Sequence, residues 1–67
     1  AYAERFVGGV LTVLVERGAG ERPGRVEGHS ENYIRVRLPG GRERIGELVP
    51  VRIVRRRGEE LEGEPAL

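Results

Sequence analysis

The sequence of 67 residues has no cysteine, no methionine, no glutamine, no lysine and no aspartate, and it has one histidine. Without cysteine there can be no disulfide, no thiolate metal site and no cysteine nucleophile. A metal site would have to be built from glutamates around a single imidazole, so none is expected. No apolar run approaches the roughly 18 residues that a membrane-spanning helix needs, and no membrane contact is expected. The N-terminus shows no basic segment followed by an apolar stretch, so no signal peptide is visible. The lack of cysteine fits a cytoplasmic location. A chain of this length makes one domain, and such a domain buries only roughly 60% of the surface its unfolded chain exposes. Little room remains for both a core and a deep catalytic cleft.

All twelve basic side chains are arginine and all eleven acidic ones are glutamate. A GC-rich coding sequence accounts for that without appeal to function. Arginine also has a chemical meaning, because its planar fork grips phosphate bidentately and stacks on bases, as lysine does not. The formal net charge of +1 conceals a strong segregation. Residues 1–21 hold two arginines and three glutamates, residues 22–57 hold ten and four, and residues 58–67 hold four glutamates and no arginine. A basic middle between acidic ends suits a polyanionic partner. A mixed surface of paired arginines and glutamates explains it equally well.

Five short apolar segments separated by turn residues predict an all-β fold, a small five-stranded antiparallel barrel of the oligonucleotide-binding (OB) type. Val10-Leu11-Thr12-Val13-Leu14-Val15 is a β-branched run flanked by glycines, with so little polar alternation that both faces are expected to be covered. Gly18 to Gly24 is turn chemistry. Arg25 to His29 reads as a second strand with Val26 inward, and Ser30-Glu31-Asn32 as a turn. Tyr33 to Leu38 alternates most clearly: Ile34, Val36 and Leu38 share one face, and Tyr33, Arg35 and Arg37 the other. A fourth strand spans Leu48 to Val54, with Val49, Val51 and Ile53 inward and Pro50 requiring an edge or a bulge. Arg55-Arg56-Arg57-Gly58 reads as a basic turn, and Glu60 to Glu64 as a fifth strand with Leu61 inward. Residues 1–6 are assigned to a linker from a preceding domain, 7–64 to the barrel and 65–67 to a tail. Residues 1–7 are expected to be frayed, and the opening Ala suggests a piece of a longer chain. No repeat at a fixed period is visible, and the isolated domain is expected to be a monomer.

The strongest candidate surface is Tyr33, Arg35 and Arg37, an aromatic ring with two guanidiniums. Tyr33 can stack on an unpaired base and the arginines can neutralise phosphate. Arg25, His29 and Asn32 extend that surface, although Asn32 equally suits a turn that needs positive φ. The Arg55-Arg56-Arg57 run is open between phosphate contact and internal salt bridging. No catalytic residue is expected. Ser30 sits beside His29 but lacks the orienting partner of a triad, and no glutamate is flanked so as to raise its pKa.

The stretches Gly8 to Glu16, Gly24 to Val36, Ile45 to Ile53 and Leu61 to Glu64 together resemble the TRAM domain, an OB-like barrel that binds tRNA or rRNA. Such domains stand at the C-terminus of radical-SAM methylthiotransferases and in certain RNA methyltransferases. The string Gly28-His29-Ser30-Glu31-Asn32-Tyr33-Ile34-Arg35-Val36 is similar to methylthiotransferases acting on threonylcarbamoyladenosine beside the tRNA anticodon. The resemblance implies RNA contact at Arg25, Asn32, Tyr33, Arg35 and Arg37. It also implies a parent enzyme that uses an iron–sulfur cluster and S-adenosylmethionine, neither held by this domain. Pro50 departs from the family pattern. The partners implied are RNA, at the anticodon region of tRNA, and the catalytic domain of the same parent chain. Two other functions remain: a structural docking or lid domain with little RNA contact, and a free-standing RNA-binding barrel of the cold-shock kind. The latter would carry more strand aromatics than Tyr33.

Overall fold

The computed structural model describes residues 2–20 and 23–66. Glu21 and Arg22 of the predicted Gly18–Gly24 turn lie outside them, as do Ala1 and Leu67. Five strands form, β1 (Val10–Gly18), β2 (Arg25–Ser30), β3 (Arg35–Pro39), β4 (Leu48–Arg57) and β5 (Glu60–Pro65). They close into a barrel in the order β1-β2-β3-β5-β4. Closure removes the exposed edges that a small sheet would otherwise present. One pairing departs from the expected antiparallel pattern: β3 and β5 run parallel, joined only at Val36–Leu61 and Arg37–Glu62.

The interior is aliphatic. Val13, Val26, Val36, Leu38, Val51 and Leu61 have no solvent exposure, with Ile34, Val49 and Ile53 also buried. The inward set read from β2, β3, β4 and β5 is therefore the set that packs. β1 differs from expectation. Leu11, Val13 and Val15 point in, while Val10, Thr12 and Leu14 are exposed. A closed five-stranded barrel has one inside, so an apolar residue of the opposite parity is left on the outer wall. The described part of the N-terminal segment is folded instead of frayed. Ala3–Phe6 forms a 3₁₀ turn, Ala3 joins the core and Phe6 packs against it.

Pro50 sits inside β4, facing Thr12 of β1. Its carbonyl accepts the Ala66 N–H at 2.7 Å. The N and C=O of one strand residue point to the same neighbour. The missing Pro50 donor is thus on the β5 side, where β5 ends, and the β1 ladder loses nothing.

Strict alternation would drive Arg17 and Arg55 into the core. Two bulges prevent it. The β1–β2 register slips between Val15 and Arg17, so Glu16 is the extra residue. The β4–β5 register slips between Ile53 and Arg55, so Val54 is extra. One inserted residue reverses the facing of everything after it. Opposite each bulge lies a glycine, Gly28 against Val15 and Gly63 against Ile53. A Cβ on Gly28 would fall on the Leu14 carbonyl, and one on Gly63 on the Arg52 carbonyl. The two hairpins β1–β2 and β4–β5 thus repeat one device, although no fixed period appears in the sequence.

Candidate nucleic-acid interface

Beyond the bulges, the outer wall carries a single row of charge in direct cross-strand register. Arg17 on β1 faces Glu27 on β2, Glu27 faces Arg37 on β3, Arg37 faces Glu62 on β5, and Glu62 faces Arg55 on β4. Opposite charges directly across a ladder attract, each pair contributing about 0.2–1 kcal/mol. The row therefore adds electrostatic attraction at four of the five strand junctions. Arg55 to Arg57 are part of β4, not the basic turn that composition suggested.

Two of its members are carboxylates that the sequence disguised as solvated surface. Glu27 is 5% exposed and Glu62 is 8% exposed. Glu27 accepts from Arg17 Nη1 (3.0 Å), Arg35 Nη1 (3.0 Å) and Arg37 Nε (3.3 Å). Burial opposes its ionisation, but the Arg17 hydrogen bond and the charges of Arg35 and Arg37 outweigh that and hold its carboxyl below the ordinary value. Glu62 accepts from Arg55 Nε at 2.6 Å and lies 3.1 Å from Arg57 Nε. The Arg55 hydrogen bond is the main cause of its lowered pKa, acting against burial, with the charges of Arg55, Arg57 and Arg25 adding to it. A signal for both was present. Val26-Glu27-Gly28 and Leu61-Glu62-Gly63 are the same triplet, an inward aliphatic, a glutamate and the glycine that faces a bulge.

The expected stripe of Tyr33, Arg35 and Arg37 divides. Arg35 and Arg37 do share the outer face of β3, but both are tied to Glu27 and both approach Glu60. Tyr33 lies before the strand, in the loop, at φ 64°. The positive φ expected of Asn32 falls on Tyr33 instead. The Ser30 hydroxyl causes this by accepting the N–H groups of Asn32 and Ile34, both at 3.2 Å, while Tyr33 N–H bonds the Ser30 carbonyl. That tight turn throws the Tyr33 ring out of the wall, 87% exposed. Asn32 Nδ2 donates to the Tyr2 hydroxyl at 3.2 Å, fastening the loop to the N-terminal turn. His29 Nδ1 lies 2.8 Å from Glu16 Oε1. The bulge residue Glu16 therefore holds the imidazole that the sequence placed on the RNA-facing surface.

Among the surface concavities, two bear on ligand binding. One, of about 430 Å³, is lined by Ala19, Gly20, Arg25, Arg37, Arg55, Arg57 and Glu62. Four guanidiniums over one carboxylate make it a cationic groove. Arg25 has no ion pair at salt-bridge distance among the described residues. The other, of about 570 Å³, is lined by Thr12, Leu14, Glu16, His29, Ser30, Glu31, Tyr33 and Leu48. It is mainly apolar, since Leu14, Leu48 and Tyr33 are all exposed there. No cluster of metal-ligating side chains occurs among the described residues. The family model of the TRAM domain matches residues 4–66. The chain belongs to the TRAM domain family. TRAM is a non-catalytic, RNA-binding domain, and its ligand chemistry agrees with the cationic groove: a groove of guanidiniums on a closed OB-like barrel suits a phosphodiester backbone.

Proposed function

We propose that this TRAM domain holds a structured RNA, tRNA at its anticodon region, for a tethered radical-SAM methylthiotransferase that modifies an adenosine there. The observation that carries the RNA part is the groove where Arg25, Arg37, Arg55 and Arg57 converge, with Arg25 at salt-bridge distance from no carboxylate among the described residues. The arginines there neutralise backbone phosphates. Tyr33, thrown clear of the wall, stacks on an unpaired base. His29, Asn32 and Arg35 continue the contact between the two. The Gly28 to Val36 string supports the choice of tRNA and of the parent enzyme. The iron–sulfur cluster and S-adenosylmethionine would be held by the catalytic domain. This chain offers no fit for the cluster, since it has no cysteine and such clusters are held by thiolates. The parent enzyme would act in the cytoplasm.

One feature supports a second reading, docking against the catalytic domain of the same chain. The outer apolar residues of β1, with Leu48 and Tyr33, form a mainly apolar groove of the kind that covers well against protein. The two readings use different walls and are compatible.

An NMR titration with an anticodon stem–loop separates them. RNA binding is expected to move the amides of residues 25–37 and 55–62. Arg37→Glu and Arg55→Glu should each weaken binding by about tenfold, since each removes a charge-assisted contact and adds repulsion. Shifts scattered over the whole barrel, with affinity unchanged in both variants, would remove the groove as the RNA site.

A further inference from the structure

Glu27 and Glu60 touch the same two arginines in different ways. Arg35 gives Nη1 to Glu27 at 3.0 Å and turns Nε toward Glu60 at 3.9 Å. Arg37 gives Nε to Glu27 at 3.3 Å and turns Nη2 toward Glu60 at 3.4 Å. Each guanidinium therefore has one nitrogen anchored on a buried carboxylate and another loosely held by a second carboxylate. Glu27 is shielded, with 6% of its side chain exposed, whereas Glu60 is 34% exposed. Glu60 makes no hydrogen bond to either arginine, and it stands at the first position of β5, beside the turn at Gly58 and Glu59. A guanidinium carries five donors in a fixed fork. The Glu27 contact sets its orientation, and the donors turned toward Glu60 can change partner.

We infer that Arg35 and Arg37 form a phosphodiester site whose resting occupant is Glu60, and that an RNA backbone binds there by displacing that carboxylate. This rests on the RNA-binding reading above. A phosphodiester matches a carboxylate in charge and in offering two oxygens to a fork, so the exchange replaces one anion with another and leaves no guanidinium bare. Glu27 does not exchange, because it is shielded and held by three arginines. The site thus has a permanent anion that aims the guanidiniums and a temporary one that keeps them from rearranging before RNA arrives. The temporary occupant also lowers affinity, since binding must first break its contacts.

The test is fluorescence anisotropy with two labelled probes, an anticodon stem–loop and a single-stranded oligouridylate, against wild type, Glu60→Gln, Glu60→Ala and Glu59→Gln. Glu59 is an exposed neighbour of the same charge, so Glu59→Gln measures the general gain from removing one negative charge. Glu60→Gln and Glu60→Ala should both tighten binding by about two- to fivefold beyond Glu59→Gln, the range expected for releasing partly exposed ion pairs. That excess should vanish when Arg35 and Arg37 are both replaced by Gln. Equal gains for the Glu59 and Glu60 variants, with RNA still bound, would overturn the displacement alone. No binding of either probe by any of these proteins would overturn the RNA-binding reading and the displacement with it.

Discussion

The β1–β2 and β4–β5 hairpins use the same parts to different ends. Each has a bulge, a glycine facing it and a buried glutamate beside that glycine. Glu27 gathers arginines from both neighbouring strands, Arg17 of β1 and Arg35 and Arg37 of β3. Glu62 pairs closely only within its own hairpin, with Arg55 and Arg57 of β4. The side chains around Glu27 are also more sheltered: Arg35 and Arg37 are 38% and 37% exposed, against 62% for both Arg55 and Arg57. The first hairpin thus spends its carboxylate on joining three strands, and the second keeps its guanidiniums open to a ligand.

The largest expected effect tests that asymmetry in stability. Removing one member of a shielded ion cluster leaves the others uncompensated, although partners that reach solvent soften the loss. Glu27→Gln should cost about 2 kcal/mol and Glu62→Gln about 1 kcal/mol in urea denaturation, a ranking that follows from the number and shelter of the arginines left behind. Equal losses would mean that the two glutamates do the same work.

Acid should expose the same pair next. Both carboxyls titrate below the ordinary value of 4.5 in the folded chain. Their stabilisation is present in full above about pH 4.5 and drains away as pH falls through the lower folded values. Glu27→Gln and Glu62→Gln should therefore each flatten the acid side of the stability curve. A curve between pH 5 and pH 2 that is identical in wild type and both variants would contradict the paired, ionised state described for them.

Smaller effects lie outside the two carboxylate clusters. Arg25→Gln should reduce the slope of log affinity for RNA against log salt by about 0.7–0.9, the share of one neutralised phosphate, at little cost in stability. An unchanged slope would place Arg25 outside the contact. The smallest effect concerns Tyr33. Its positive φ disfavours any side chain with a Cβ, so Tyr33→Gly should raise stability by about 0.5 kcal/mol while weakening RNA binding. A stability loss would show that the ring supports the fold.

Parity was legible in the sequence wherever strands are regular. Ile34, Val36 and Leu38, then Val49, Val51 and Ile53, point inward as alternation required. Val26 and Leu61 do the same. The misreadings cluster at irregularities. A bulge adds one residue without changing composition, so nothing around Glu16 or Val54 warned that Arg17 and Arg55 would turn outward. Val10 and Leu14 looked like core because apolar character does not say which wall is dry. Tyr33 fits an alternating pattern perfectly, yet the Ser30 hydroxyl takes two backbone donors and bends the chain before the strand begins. Arg35 and Arg37 were placed on the correct face, but their partner Glu27 was not visible as one, since a lone glutamate between an aliphatic and a glycine reads as solvent-facing. The paired triplets Val26-Glu27-Gly28 and Leu61-Glu62-Gly63 were the available clue.

The junction between β3 and β5 is the thinnest part of the barrel wall, with two residue pairs in register against five or more at every other strand junction. Transient opening of the cylinder should begin along that line, and backbone protons there should be the earliest of the β-sheet to exchange with deuterated solvent. Because Arg37, Glu60 and Glu62 straddle the line, an RNA strand laid across it would act as a splint, slowing the exchange of protons it never touches.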